Sequence, residues 1–492
     1  MADTFTINEE LLESLSTDLN VTITPTGSIS VGTSESRSSE TFAAKLTSTG
    51  RTLSQSGDVS LYSNASATVY GIYFSGTEGT LLVGGTDTSV KVDNSASTAV
   101  GIYGNKLTAG YLTGADRYTV DVYANKGQAY GLQVSEFTED FDWEIIVSGS
   151  GYSYGIQKSN ITFDKDFSGD ISVRSRSEYA YGLSGTITTS GDFGGKISVR
   201  GQSLAYGISG SLTVSGNLST VLTSQSDGYN AYGISGNLTV AGDYTGSIES
   251  IANTYYSYGI NGNIDIDGDF GGSVKSSGRY EVFALNSSGS ITIGDNFSGT
   301  IEASNTQNNY AVVGIRTVTG NDINVDIAKD FAGTVTVNSK GNAWGIDLNG
   351  DNSSSDRSTK LHIGGDLSGN ITSVSTGYTA YGIKLFKYGK GTNNLTIDGN
   401  LSGMINVSGN SAYGINLDHN NNVASSLEIK GDISGIITAG ANNGNAYGIY
   451  VNGKTGALSI GNGDEAARLR FCERVFVRFY LQKNRKKATA AS

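Results

Sequence analysis

The sequence contains a single cysteine, Cys472, and a single proline, Pro25, in 492 residues. One cysteine excludes an internal disulfide framework. The lack of proline, with no Gly-x-y period, excludes a collagen-like triple helix despite the many glycines. No apolar run reaches the ~18 residues that a transmembrane helix needs. Residues 1–20 lack the basic and apolar regions of an export signal, so none is read there. Positive charge is also in deficit. The net charge of -13 repels a phosphate backbone, which excludes nucleic acid as the main partner. An acidic surface of this kind suits a protein that stays soluble outside the cell.

Glycine, by contrast, supplies 68 positions. It is combined with Val, Ile, Thr and Tyr, and that mixture reads as many short strands separated by tight turns. Apolar residues make up 37% of the chain in evenly spread clusters, which excludes plain disorder.

The clusters repeat. Ala-Tyr-Gly-Ile/Leu recurs from Ala129-Tyr130-Gly131-Leu132 through Ala205-Tyr206-Gly207-Ile208 to Ala446-Tyr447-Gly448-Ile449, with looser copies such as Ser153-Tyr154-Gly155-Ile156 and Ala343-Trp344-Gly345-Ile346. A second motif follows each copy, as in Gly191-Asp192-Phe193-Gly194-Gly195 and Gly365-Asp366-Leu367-Ser368-Gly369. The period is about 26 residues in the middle of the chain and about 30–37 towards both ends, the range of solenoids. Each unit divides into three pieces that alternate at period two, with Gly-Asp/Asn and Ser-Gly dipeptides at the corners. In Ala205-Tyr206-Gly207-Ile208, alternation puts Tyr206 and Ile208 on one face, read as inward, and Ala205 and Gly207 on the other.

The expected fold is therefore all-β: a right-handed parallel β-helix (β-solenoid) with about three short strands per coil and about 14 coils. Residues 1–41 are expected to be an N-terminal cap or disordered segment, with a short amphipathic helix over 8–19 carrying Leu11, Leu12 and Leu15. Residues 42–463 form the repeat array. Residues 464–492 break with it: glycine vanishes, and Arg468, Arg470, Arg474, Arg478, Lys483, Arg485, Lys486 and Lys487 accumulate around Cys472, Val475, Phe476 and Phe479. That tail reads as an aberrant, frameshift-like replacement of a longer C-terminus. A membrane-binding basic helix is one alternative, and the same stretch, RVFVRFYL, also fits the alternation of a strand.

A search for chemistry leaves little. His362 and His419 lie far apart without second ligands at metal-site spacing. Gly151-Tyr152-Ser153-Tyr154-Gly155 matches a nucleophile elbow, but it is a copy of the repeat motif. Asp192, Asp243, Asp269, Asp295, Asp330, Asp366 and Asp432 would make a carboxylate ladder, yet Asn217 and Asn400 fill the same slot. Asn shares with Asp the holding of turns, not acid–base chemistry, so these are read as turn residues. The tyrosines Tyr130, Tyr154, Tyr181, Tyr206, Tyr232 and Tyr258 read as a buried stack rather than an external platform for sugar rings. Trp143 and Trp344 stand alone. No catalytic, cofactor-binding or metal-binding residue and no cofactor are expected.

The tandem AYGI…LTV.GD.SG units resemble the passenger regions of autotransporter-type proteins of Gram-negative bacteria, over residues 69–460. The resemblance implies a β-helical stalk, an export signal and an outer-membrane barrel; neither of the last two is read in this sequence. The expected function is a surface-exposed or secreted structural stalk, adhesin-like, that mediates attachment or spacing without catalysis. Its expected partners are host or matrix glycans or proteins, and further copies of itself; its place is the cell surface, the outer membrane or the extracellular space. Membrane attachment would run only through the missing barrel. The alternatives are a polysaccharide lyase or hydrolase, which requires acidic and basic residues clustered on one lateral face of adjacent coils, and a truncated, non-functional fragment.

Overall fold

In a computed structural model, residues 3–112, 118–318, 323–350, 358–387, 391–419, 424–453, 455–461 and 480–481 are described. They are all-β, with no helix among them. Parallel strands stack as a β-solenoid of about 15 turns, with about 28 residues per turn. The contacts divide into two compact units: Met1–Gly262 with Ile266–Gly268 and Gly272–Arg279, and Asn263–Asp265 with Asp269–Gly271 and Tyr280–Ser492.

In the first unit a typical turn consists of Ala205–Ser209, Leu212–Val214 and Val221–Ser226. Each strand pairs in parallel with its counterpart one turn on: Ala205 with Ala231, Leu212 with Leu238, and Val221 with Ser247. Like residues therefore stand above like residues. The corner between the first two strands is a glycine at positive φ, as at Gly210 (129°) and Gly236 (149°), where a side chain would be strained. Ile208, Leu212, Val214, Leu218 and Leu222 are all buried in this turn. Burial of such side chains is worth about 1.5–3 kcal/mol each, but only against a neighbouring turn, so the unit of stability is the stack and not the coil.

The Ala-Tyr-Gly-Ile strand does not alternate as its sequence suggests. Ala205, Gly207 and Ile208 face inward and Tyr206 faces outward, half-buried, a pattern shared by Ala180–Thr189 and Ala231–Ser235. The cause is the glycine. A Cβ on Gly207 would lie 2.5 Å from Leu222 Cδ2 and 2.6 Å from the Gly233 carbonyl oxygen, so the backbone itself occupies core space there. This corrects the inward placement of the tyrosines.

The aromatic of the Gly-Asp-Phe corner is the core element. Phe141, Phe167, Phe193, Leu218 and Tyr244 form a bridged column in the first unit; Phe270, Phe297, Phe331, Leu367, Leu401 and Ile433 form one in the second. All are buried except Ile433, which is half-buried. Phe167 and Phe193 stack at 4.4 Å and 11°. Trp143 is buried beside this column, against Phe137, Phe141 and Tyr118.

The second unit uses the same plan with longer turns. Ala343, Ala380, Ala412 and Ala446 are in register, as are Ile371, Ile405 and Ile437.

Residues 8–19 contain the strands Glu10–Leu11 and Leu15–Thr17 in place of the expected helix. Parallel pairing already runs from Thr4–Ile7, whose partner is Asn20–Ile23. Backbone pairing along a preformed stack outweighs the helical spacing of three leucines. The basic tail, apart from Tyr480–Leu481, and residues 351–357 and 388–390 of the two insertions lie outside the described residues.

Candidate functional site

Turn stacking converts each outward position into a row. Three rows carry side chains with chemistry.

The first is the tyrosine row of the first unit. Tyr130, Tyr154, Tyr181, Tyr206, Tyr232 and Tyr258 stack with ring centroids 4.6–5.0 Å apart and interplanar angles of 2–4°. Ring faces cover one another; the Tyr130 hydroxyl donates to Gln128 Oε1, and the Tyr232 hydroxyl accepts from Asn230 Nδ2. The row is external, then, but it offers no free ring face for a sugar along its length. Burial pushes the phenols of Tyr154 and Tyr206 up to about 12, with neighbouring tyrosines adding to the effect. Beside it runs a row of small polar residues, among them Ser184, Ser209, Ser235 and Asn261.

The second is the Asp/Asn row at the corner. Asp192 Oδ1 accepts the Asn217 backbone N–H at 2.7 Å, and Asn217 Oδ1 accepts that of Asp243 at 2.9 Å. In the second unit the same bond links Asp269 to Asn296 (2.8 Å), Asn296 to Asp330 (3.2 Å), Asp330 to Asp366 (2.7 Å), Asp366 to Asn400 (2.6 Å) and Asn400 to Asp432 (2.8 Å). One oxygen per residue fixes the amide of the next turn, a task that Asp and Asn perform equally. Asp295 is not in this row; Asn296, next to the buried Phe297, takes its place, and Asp295 instead pairs with Lys329 at 2.5 Å. Asp140 and Asp166 extend the row towards the N-terminus.

The third row holds the charge clusters of the second unit. His362 Nδ1 lies 2.7 Å from Asp326 Oδ1, and its Nε2 lies 3.2 Å from Asp398 Oδ2. Lys430 Nζ reaches Asp398 Oδ1 at 2.8 Å, and Lys360 Nζ lies 3.9 Å from Asp326. Lys430 is the main cause holding the Asp398 carboxyl below the ordinary carboxylate range, with His362 contributing. His362 is therefore not isolated. Its partners are 36 residues away on either side, one turn each, beyond any local spacing rule. Both ring nitrogens are engaged in opposite directions, and among the described residues no group of three His, Cys, Asp or Glu side chains converges as metal ligands would. The backbone of His419 pairs with Lys387, and its side chain lies outside the described residues.

No protein-family model, characterised protein or solved structure matches the chain.

Ser153 is buried in the continuous strand Ser153–Phe163, with no helix after it. It is not placed as a nucleophile. Trp344 belongs to the outer row that continues with Tyr381, Tyr413 and Tyr447. Three positions further along that strand stands Asp347, wholly shielded from solvent, with Lys384 Nζ at 3.2 Å. Neither residue was singled out by the sequence. The available signal was the run Arg316, Asp347 and Lys384 at a repeat position that carries Gln, Ser or Asn from Gln157 to Asn261.

Proposed function

We propose that this protein is a surface-exposed or secreted structural protein, adhesin-like, that mediates attachment or spacing and performs no catalysis. The observation that carries the reading is the use made of the outward polar rows. Asp and Asn side chains fix the backbone of the next turn, and tyrosine rings cover each other's faces. Side chains that elsewhere in proteins do chemistry here hold a regular surface in place. A surface repeated at strand spacing, about 4.8 Å, presents the same edge many times over and so favours extended or repetitive partners: glycans, matrix proteins or further copies of the chain. The expected outcome is that the purified protein binds at least one of these in glycan-array, matrix-protein and self-association assays. The double substitution Tyr206→Ala/Tyr232→Ala should weaken that binding without unfolding the core. Negative results in all three assays would remove the reading.

One observation favours a second reading, a polysaccharide lyase or hydrolase. Asp326, Lys360, His362, Asp398 and Lys430 form an acidic and basic cluster on adjacent turns. A degradation screen on acidic polysaccharides separates the two, with His362→Ala as the control that abolishes any cleavage found.

A further inference from the structure

Strand register brings three residues of one row in the second unit side by side. Asp347, Lys384 and Asn416 hold the same position in three successive turns, so Lys384 has Asp347 on one adjacent strand and Asn416 on the other. Over five turns of the first unit the corresponding residues Gln157, Ser184, Ser209, Ser235 and Asn261 are neutral and half-buried. Here the row is charged, with Arg316 in register on the far side of Asp347 from Lys384, and Asp347 and Asn416 are withdrawn from water. Asp347 is 0% exposed, Asn416 is 3% exposed, and the Lys384 side chain 15%. The Lys384 ammonium lies 3.2 Å from Asp347 Oδ1 and over the rings of Trp344, Tyr381 and Phe386, at 4.7, 5.5 and 5.6 Å. Both Asp347 oxygens and Asn416 Oδ1 are buried without a hydrogen bond of regular geometry. A shielded ion pair with so few hydrogen bonds is a poor stabiliser, and its presence calls for another explanation.

We propose that Lys384 and Asn416 become joined by an isopeptide bond across adjacent turns, with Asp347 as the proton carrier. Asp347 takes a proton from the Lys384 ammonium, leaving a free amine. A lysine in an apolar enclosure is a competent nucleophile once neutral. The amine nitrogen attacks Cγ of Asn416, and the protonated Asp347 donates to Oδ1 as negative charge develops there. The Cγ–Nδ2 bond breaks. The departing nitrogen collects its protons from the attacking amine and from the carboxyl, and leaves as ammonium, so one ammonium and one primary amide become one secondary amide and NH4+. No oxidant or reductant is needed. Strand register holds the reactants as neighbours, which replaces a bimolecular encounter, and the three rings keep water from competing. The product ties two turns of the second unit covalently.

Intact mass spectrometry of the denatured full chain tests this without any variant. The chain is expected to weigh about 17 Da less than its sequence requires, the loss of one ammonia on amide formation. Peptide mapping should recover a branched peptide joining Lys384 to Asn416. Asp347→Ala, Lys384→Arg and Asn416→Ala should each restore the full sequence mass. An unshortened mass in the parent chain overturns the proposal. So does a loss of about 18 Da with Lys384 joined to Asp347, because that product would make the carboxylate the electrophile rather than the proton carrier.

Discussion

At the scale of single residues, stability follows from what each position faces. Phe193 sits in a fully buried column between Phe167 and Leu218. Phe193→Ala is expected to cost about 3–5 kcal/mol in denaturant unfolding, and Phe193→Leu far less, since leucine already serves one turn away. Glycines divide by the same test. Gly207→Ala must push against Leu222 and the Gly233 carbonyl, and about 1–3 kcal/mol of destabilisation is expected. At Gly440 the nearest heavy atom to an added Cβ is 3.9 Å away, so Gly440→Ala should leave the melting temperature almost unchanged. The Asp/Asn corner residues were legible in the sequence because two amide-accepting side chains alternate there. Asp295 was misassigned because the slot is defined by the buried aromatic that follows it, not by the glycine before it. His362 and Lys384 were illegible as partners of anything, since their neighbours lie a full turn away and turn length varies in the second unit.

At the scale of elements, the three strands and their corners could be read from period-two alternation and glycine placement. The facing of the first strand could not. Alternation assumes a flat strand, and at Gly207 the backbone moves into the core, leaving the tyrosine outside. That arrangement has a pH signature. Tyr154 and Tyr206 keep their protons up to about 12 in the folded chain, against about 10 when unfolded. Between these values the unfolded chain has lost protons that the folded chain retains, so rising pH favours unfolding over that interval. Ultraviolet titration should show a class of late-ionising phenols, and alkaline unfolding should release them. The corner bonds predict a second contrast. Asp192→Asn should be tolerated, whereas Asp192→Ala removes the acceptor of the Asn217 amide and should cost about 1 kcal/mol by thermal denaturation.

At the scale of the whole molecule, the chain is a sum of turns, each supported only by those adjacent to it. Such arrays behave as nearly one-dimensional systems. Hydrogen exchange on the Phe193→Ala variant should therefore show loss of protection in the turns flanking residue 193, while amides around Ile371 and Ile405 stay as slow as in the parent chain. Uniform loss across both units would contradict this. The composition announced a repeat array, and the period announced stacking. What no residue announced was which rows would be charged, because that depends on the few turns where Arg316, Asp347 and Lys384 stand in place of Ser, Asn or Gln.

The turn-by-turn register has one more consequence, for heredity. Ala180, Ala205 and Ala231 stand directly above one another, and so do Ile187, Leu212 and Leu238. An in-frame crossover between two copies of the repeat would delete or duplicate one complete coil and leave each row unbroken at the seam. A gene of this kind can lengthen or shorten its product by recombination alone, and alleles differing by whole coils would still fold.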